Sequence, residues 1–177
     1  MDNLLYYYYK LLSKITKNKE VLYEYYRSYG GVEIGDNCLL CSRIPMKDVG
    51  LLKIGNNVTI STGVSLVTHD NSIKYVFPDK SDLFGRITIG NNCFIGENAT
   101  ILYGCSICDC VIVAAGSVVT HSFTKKGIIV AGNPAKIIGT WKKFSEKYAS
   151  NAINRADLQS LLVKDESFLV VREEKNE

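Results

Sequence analysis

Two histidines, one tryptophan, two methionines and three prolines are scarce currency in a chain of 177 residues. With only two histidines, far apart in sequence, a site built on three imidazole ligands, such as a histidine zinc centre, is strongly disfavoured. No stretch approaches the roughly 18 consecutive apolar residues of a membrane span. The start of the chain lacks a charged lead, an apolar core and a cleavage site, so no signal peptide is expected; the cysteine usage described below fits a reducing cytoplasm, which is the expected location. Charge of one sign is also missing: the net value of +3 is mild and evenly spread. That excludes the basic stripe interleaved with aromatics of a nucleic-acid binder. At this length the chain forms one domain of ordinary size with terminal elaborations.

What the chain has instead is a period of six. Ile89, Ile95, Ile101, Ile107, Val113 and Val119 recur at that step, with Gly90 and Gly96 after the first two. A second column of compact residues follows four places later: Cys93, Ala99, Cys105, Val111 and Ser117. Six is neither the helical 3.6 nor the strand's 2. It is the signature of short strands that turn a corner and stack coil upon coil, with the aliphatic residue inside a triangular prism. The same register occurs upstream at Ile34-Gly35 with Cys38 and Leu40, and at Ile54-Gly55, Val58, Ile60, Val64 and Leu66. Ile54-Gly55-Asn56-Asn57-Val58 and Ile89-Gly90-Asn91-Asn92-Cys93 are nearly one pentapeptide, whose Gly and Asn suit corners that need positive φ. The expected class is mainly β, with an N-terminal helix and C-terminal helices.

Of six cysteines, Cys38, Cys93 and Cys105 fall in the compact column, where a thiol acts as a small hydrophobe. Disulfides are therefore not expected. A zinc site from Cys38 and Cys41 with Cys105, Cys108 and Cys110 is the competing reading, but it lacks a repeated paired spacing. No metal is expected.

Residues 1–31 form a cap: positions 3–27 read as one helix with Leu4, Tyr8, Leu11 and Ile15 on one face, ending at Gly30-Gly31. Such a helix plugs the raw end of a solenoid. The alternative is an interfacial foot on a membrane surface, using Tyr6–Tyr9 with Lys10, Lys14 and Lys17. The coils occupy 32–140, broken by an irregular connection from Arg43 to Gly50. From Leu66 to Ile89 is 23 residues, one six-residue step plus 17, so a loop at about 67–86 leaves the stack. Residues 141–177 hold helices at 140–149 and 155–163 and an ambiguous tail from Glu166.

The inserted loop opens with His69-Asp70. A neutral imidazole can take a proton from an alcohol, and Asp70 or another nearby carboxylate could orient it; a polar loop histidine without a task is the alternative. His121, just after the last coil, reads as a surface residue. Tyr75, Phe77, Asp79 and Asp82 in the loop suit sugars. Beyond the coils, Gly132-Asn133-Pro134-Ala135-Lys136 makes a tight turn, and Lys125-Lys126 adds positive charge beside it.

The coils, the loop bearing His69, the Ala114–Thr120 coil and the Gly132–Lys136 turn together resemble the hexapeptide-repeat acetyltransferases. The nearest branch is that of maltose and galactoside O-acetyltransferases and surface-polysaccharide O-acetyltransferases, over roughly residues 32–140. The resemblance implies a left-handed parallel β-helix, a homotrimer, and acetyl-CoA held between subunits. It implies His69 as catalytic base and Ala115 and Thr120 as backbone partners of the cofactor's pantetheine arm. It also implies Lys136 near the cofactor's phosphates, with Phe94 where the family often has tryptophan and Glu97 where it often has a small polar residue. His121-Ser122 and Gly139 depart from the family's usual basic positions.

The reaction expected is direct O-acetylation of a saccharide or polysaccharide precursor. N-acetylation of an amino sugar or nucleotide amino sugar stays open, as does a non-catalytic trimeric scaffold. Serine acetyltransferase is disfavoured because its long helical N-terminal domain is missing.

Overall fold

The computed structural model describes residues 2–46, 48, 50–164 and 166–172. The chain divides into two compact units, 1–138 and 139–177. In the first, the six-residue period is realised as short strands, parallel from coil to coil, that visit three sheets in turn. One sheet stacks Glu33–Ile34, Leu52–Ile54, Ile87–Ile89 and Ser106–Ile107. A second stacks Leu39–Leu40, Thr59–Ile60, Phe94–Ile95, Val111–Val113, Ile128–Gly132 and Ala135–Thr140. The third has Ser65–Leu66, Thr100–Ile101 and Val118–Val119. Partners lie in register with the period, Ile60 beside Ile95 beside Val113 on the second face and Leu66 beside Ile101 beside Val119 on the third.

Both sequence columns point inward. Ile60, Ile95, Ile101, Val113 and Val119 are fully buried, as are Val58, Ala99 and Val111 from the compact column. Cys38, Cys93 and Cys105 join them, while Cys41 is exposed and Cys108 and Cys110 are half-buried. A two-residue strand cannot stabilise itself, so the stacked aliphatic core supplies the cohesion.

The corners use Asn and Gly for different reasons. Asn37, Asn57 and Asn92 take positive φ of 56°, 55° and 54°, as expected, and Cys110 adopts 59° at the equivalent corner of the last full coil. Gly90 has ordinary φ, contrary to the expectation; a Cβ there would meet the Asp109 backbone nitrogen at 2.6 Å. Close stacking, not handed backbone, demands that glycine. Side-chain oxygens of Asn56, Asn91 and Asp109 then receive the backbone N–H of Asp36, Asn56 and Asn91 in a ladder. Lys126 closes it on Asp109 at 2.8 Å.

The N-terminal segment is two helices, Asp2–Thr16 and Glu20–Gly30, rather than one. Lys17 breaks it with φ 52°. The second helix is the plug. Its Tyr23 hydroxyl accepts from the Leu40 N–H and donates to the Cys38 carbonyl, satisfying backbone groups at the open end of the first coil. The expected Leu4, Tyr8, Leu11, Ile15 stripe instead faces solvent, each residue more than half exposed. The first helix buries Tyr6, whose ring meets Tyr25 and Tyr26, and stacks Tyr9 on Tyr25 at 5.1 Å. Aromatic packing outweighs the aliphatic stripe here, because each ring buries more area.

The inserted loop is an antiparallel ribbon, His69–Asp70 against Leu83–Phe84, with a 3₁₀ turn at Asn71–Tyr75. The 43–50 connection holds no strand among its described residues, yet buries Ile44. The second unit carries helices Trp141–Tyr148 and Leu158–Leu162, close to expectation; residues 173–177 of the proposed tail lie outside the described residues. Among the described residues no helix is long and apolar enough to cross a membrane.

Candidate active site

His69 leaves the third face directly after Leu66, at the corner where the ribbon departs. Its Nδ1 lies 2.6 Å from Oδ2 of Asp48, in the irregular connection 21 residues earlier. The same oxygen accepts the Thr68 hydroxyl at 2.6 Å. An ionised carboxylate can only accept, so in a neutral imidazole this short contact favours the tautomer with its proton on Nδ1 and its lone pair on Nε2. The Asp48 side chain is 13% exposed and that of His69 43%, so the orienting group is sheltered while the imidazole reaches solvent. Phe84, opposite His69 on the ribbon, brings its ring centroid to 6.0 Å from the imidazole.

Asp70 has a different role. It accepts the Ser72 backbone N–H at 2.8 Å and the Tyr103 hydroxyl at 3.2 Å. Those bonds, the Ser72 N–H foremost, hold its carboxyl below the usual carboxylate range. It caps the 3₁₀ turn and ties the ribbon to the next coil, so the carboxylate that meets His69 is Asp48. Sequence reasoning had no signal for Asp48, because nothing in the irregular connection is periodic. Thr68, buried yet polar, was equally invisible.

His69 lines a cleft of about 950 Å³. Thr68 and Asp48 flank it; Tyr29, Arg43 and Asn3 come from the cap and the connection. None of Phe94, Glu97, Ala115, Thr120 or Lys136 lines this cleft among the described residues. Those positions lie at several other places on the coil. Glu97 and Ala115 stack on the corner between the second and third faces, where the Gly116 N–H donates to the Glu97 carbonyl at 2.8 Å. A Cβ on Gly96 would come within 2.5 Å of the Ala115 nitrogen, so glycine keeps that amide close to the coil below. No carbonyl receives the N–H of Glu97 or Ala115 among the described residues. Phe94 is 43% exposed on the second face. Thr120, exposed, sits at the opposite corner, its hydroxyl 3.4 Å from Nδ1 of His121.

Lys136 and Lys125 line a separate hollow of about 410 Å³ with His121 and Ser122. His121 is exposed, as expected of a surface residue, and lies beside these lysines. Lys126 points instead to Asp109, and their hydrogen bond raises the pKa of the ammonium and lowers that of the carboxyl. Among the described residues no three His, Cys, Asp or Glu side chains gather as a metal would need.

Comparison with known proteins adds to this geometry. The family described as "Bacterial transferase hexapeptide (six repeats)" matches residues 86–121. Protein CapG of Staphylococcus aureus is 42% identical over 69% of this chain and 73% of its own length. Galactoside O-acetyltransferase of Escherichia coli is 29% identical over 73% of this chain, which spans 64% of that enzyme. A hexapeptide-repeat-containing acetyltransferase of Vibrio cholerae, solved in complex with acetyl coenzyme A, superposes with a TM-score of 0.55 at 22% identity. That match covers 69% of this chain and 77% of the other, and shows a shared fold.

Proposed function

The chain belongs to the hexapeptide-repeat acetyltransferases, and from that premise we propose that it moves the acetyl group of acetyl-CoA to a hydroxyl of a saccharide or polysaccharide precursor. The observation that carries the reading is the 2.6 Å contact from His69 Nδ1 to Asp48, with the imidazole opening on the 950 Å³ cleft.

In this reading, bound acetyl-CoA supplies an acetyl group activated as a thioester. His69 Nε2 takes the proton from the acceptor hydroxyl as its oxygen attacks, and later returns that proton to the leaving sulfur. Asp48 holds the ring in the tautomer this needs and offsets the positive charge of the imidazolium. No cysteine is required as nucleophile, since those of the compact column face the interior. The spare N–H of Glu97 suits a developing oxyanion, and that of Ala115 suits the pantetheine arm, with Thr120 further along the coil. Lys136 and Lys125, on one hollow, fit the phosphates, and Phe94 offers an exposed ring on the same body. The donors present thus match the cosubstrate's chemistry.

These groups do not share the His69 cleft within one chain. A homotrimer with a left-handed coil, in which the cosubstrate groups of one subunit face His69 of the next, would bring them together. In that arrangement residues 1–31 cap the coil, 32–140 form the catalytic body and 141–177 an appendage. The galactoside O-acetyltransferase relative favours a sugar hydroxyl as acceptor, and acetyl-CoA as donor favours the cytoplasm.

The test is a thiol-release assay with acetyl-CoA against sugars, nucleotide sugars and amino sugars, with product masses. Acetyl esters on a sugar are expected. Acetamides on amino sugars would replace O-transfer by N-transfer, and no product from any acceptor, with a monomeric mass in solution, would overturn the reading.

A further inference from the structure

The described walls of the His69 cleft carry very little charge. Among the described residues that line it, only Asp48, His69 and Arg43 are ionisable acid or basic groups. Asp48 spends one oxygen on both Thr68 and His69. Arg43 is the one full cation among the described residues that line it. Its guanidinium lies 4.4 Å from the centre of the Tyr6 ring and donates from Nη2 to Asn3 Oδ1 at 3.0 Å. Both neighbours are neutral, and no carboxylate pairs with it among the described side chains. Arg27 makes the contrast. It meets Glu20 and Glu24 and donates to the Ile34 carbonyl, so its charge and its donors are consumed in holding the cap.

A guanidinium has five N–H donors in a rigid fork that matches a carboxylate or a phosphate. Among the described contacts Arg43 uses one hydrogen bond of that set, to Asn3, and rests against the Tyr6 ring, which takes none of the remaining N–H donors in the guanidinium plane. Tyr29, 54% exposed, lines the same cleft and offers a flat apolar face for a sugar ring. At about 950 Å³ the cleft is near the upper end of the roughly 300–1,000 Å³ usual for small-molecule sites, larger than one hexose requires.

We propose that Arg43 recognises an anionic group on the acceptor, so that the cleft takes an acidic sugar, bearing a carboxylate or a phosphate, in preference to a neutral one. The inference rests on reading His69 as the base at the acceptor hydroxyl, and it names the class of acceptor. Arg43 is a specificity residue that touches the substrate away from the reacting atoms. A guanidinium that merely clamps the first helix to the connection would stabilise the fold and leave ligand charge unread.

Direct binding separates these roles without requiring turnover. Dissociation constants of methyl β-glucuronide, glucose 1-phosphate and methyl β-glucoside would be measured by ligand-observed NMR on the full chain, for the native protein, Arg43→Gln, Arg43→Lys and His69→Ala. The native protein should bind at least one acidic probe about tenfold more tightly than the neutral one, and which probe wins distinguishes carboxylate from phosphate. Arg43→Gln should erase the difference while leaving the neutral affinity unchanged, Arg43→Lys should keep part of it, and His69→Ala should keep it whole. Should Arg43→Gln fail to fold, the Lys variant and a falling preference in the native protein as salt rises carry the same test. Equal affinities in the native protein, or a preference that survives Arg43→Gln, would overturn the proposal. Arg43-dependent binding without acetyl transfer to any acceptor would sink the acetylation reading and leave this one standing; transfer to neutral sugars with no Arg43 dependence would do the reverse.

Discussion

Nδ1 of His69 and Oδ2 of Asp48 lie 2.6 Å apart, joining the mouth of the inserted ribbon to an irregular stretch 21 residues earlier. Thr68 donates to the same oxygen from the position just before His69. One sheltered carboxylate oxygen therefore sets the orientation of the imidazole, and Asp70, adjacent in sequence, is engaged in the turn that follows.

That division gives the first expectation. Asp48→Asn preserves shape but puts an amide where an acceptor-only carboxylate stood, so kcat should fall by about 10²-fold or more with the acetyl-CoA KM little changed. Asp70→Asn should instead loosen the ribbon, read as faster proteolysis within 71–82. Equal kcat losses for the two would return the orienting role to Asp70.

His69→Ala should lower turnover by about 10² to 10⁴ while leaving the assembly mass and acetyl-CoA affinity intact. Sedimentation and titration of the variant check both. Near-normal turnover on a verified acceptor would end the general-base assignment.

The buried thiols should be silent to alkylation. Burial pushes the Cys93 thiol up to about 11, and raises Cys38 and Cys105 as well. The thiolate is the nucleophile, so below that value native Cys93 stays a thiol, and its labelling should be slow at pH 8 and accelerate only as pH climbs toward 11. Exposed Cys41 should react first. Peptide mapping after timed alkylation decides, and rapid modification of Cys93 at pH 8 would contradict its interior placement.

Lys136→Ala should raise the acetyl-CoA KM by about two- to fivefold at low salt, with the difference shrinking as salt rises, because an exposed charge contact is weak and screened. An unchanged KM at low salt would remove the 410 Å³ hollow from the cosubstrate site.

Cys110 sits at φ 59° where the equivalent corners use Asn57 and Asn92. Asparagine visits this region more cheaply, so Cys110→Asn should stabilise the protein by about 1 kcal/mol, raising Tm by about 2–4 °C. A lower Tm would mean that the half-buried thiol's packing outweighs its backbone cost.

The six-residue period determined a great deal without help from the structure. An aliphatic residue at every sixth position and a compact one four later leave only the inside of a three-sided coil as their destination, and Ile95, Ile101, Val113 and Ala99 are all there. The 17-residue excess after Leu66 located the ribbon, because an insertion cannot be accommodated inside a regular stack. These are local rules, repeated, and repetition makes them legible. Tertiary structure decided what has no period. Asp48 reaches His69 only because a connection without regular structure folds back beside the third face. Tyr6 rather than the Leu4, Tyr8, Leu11, Ile15 stripe is buried because the tyrosines of the second helix, set by their own contacts with the first coil, offer it more surface. Gly90 is needed for the proximity of Asp109, a residue 19 positions on. In each case the deciding partner is distant in sequence, and the energy of the contact depends on a position that only the folded coil supplies.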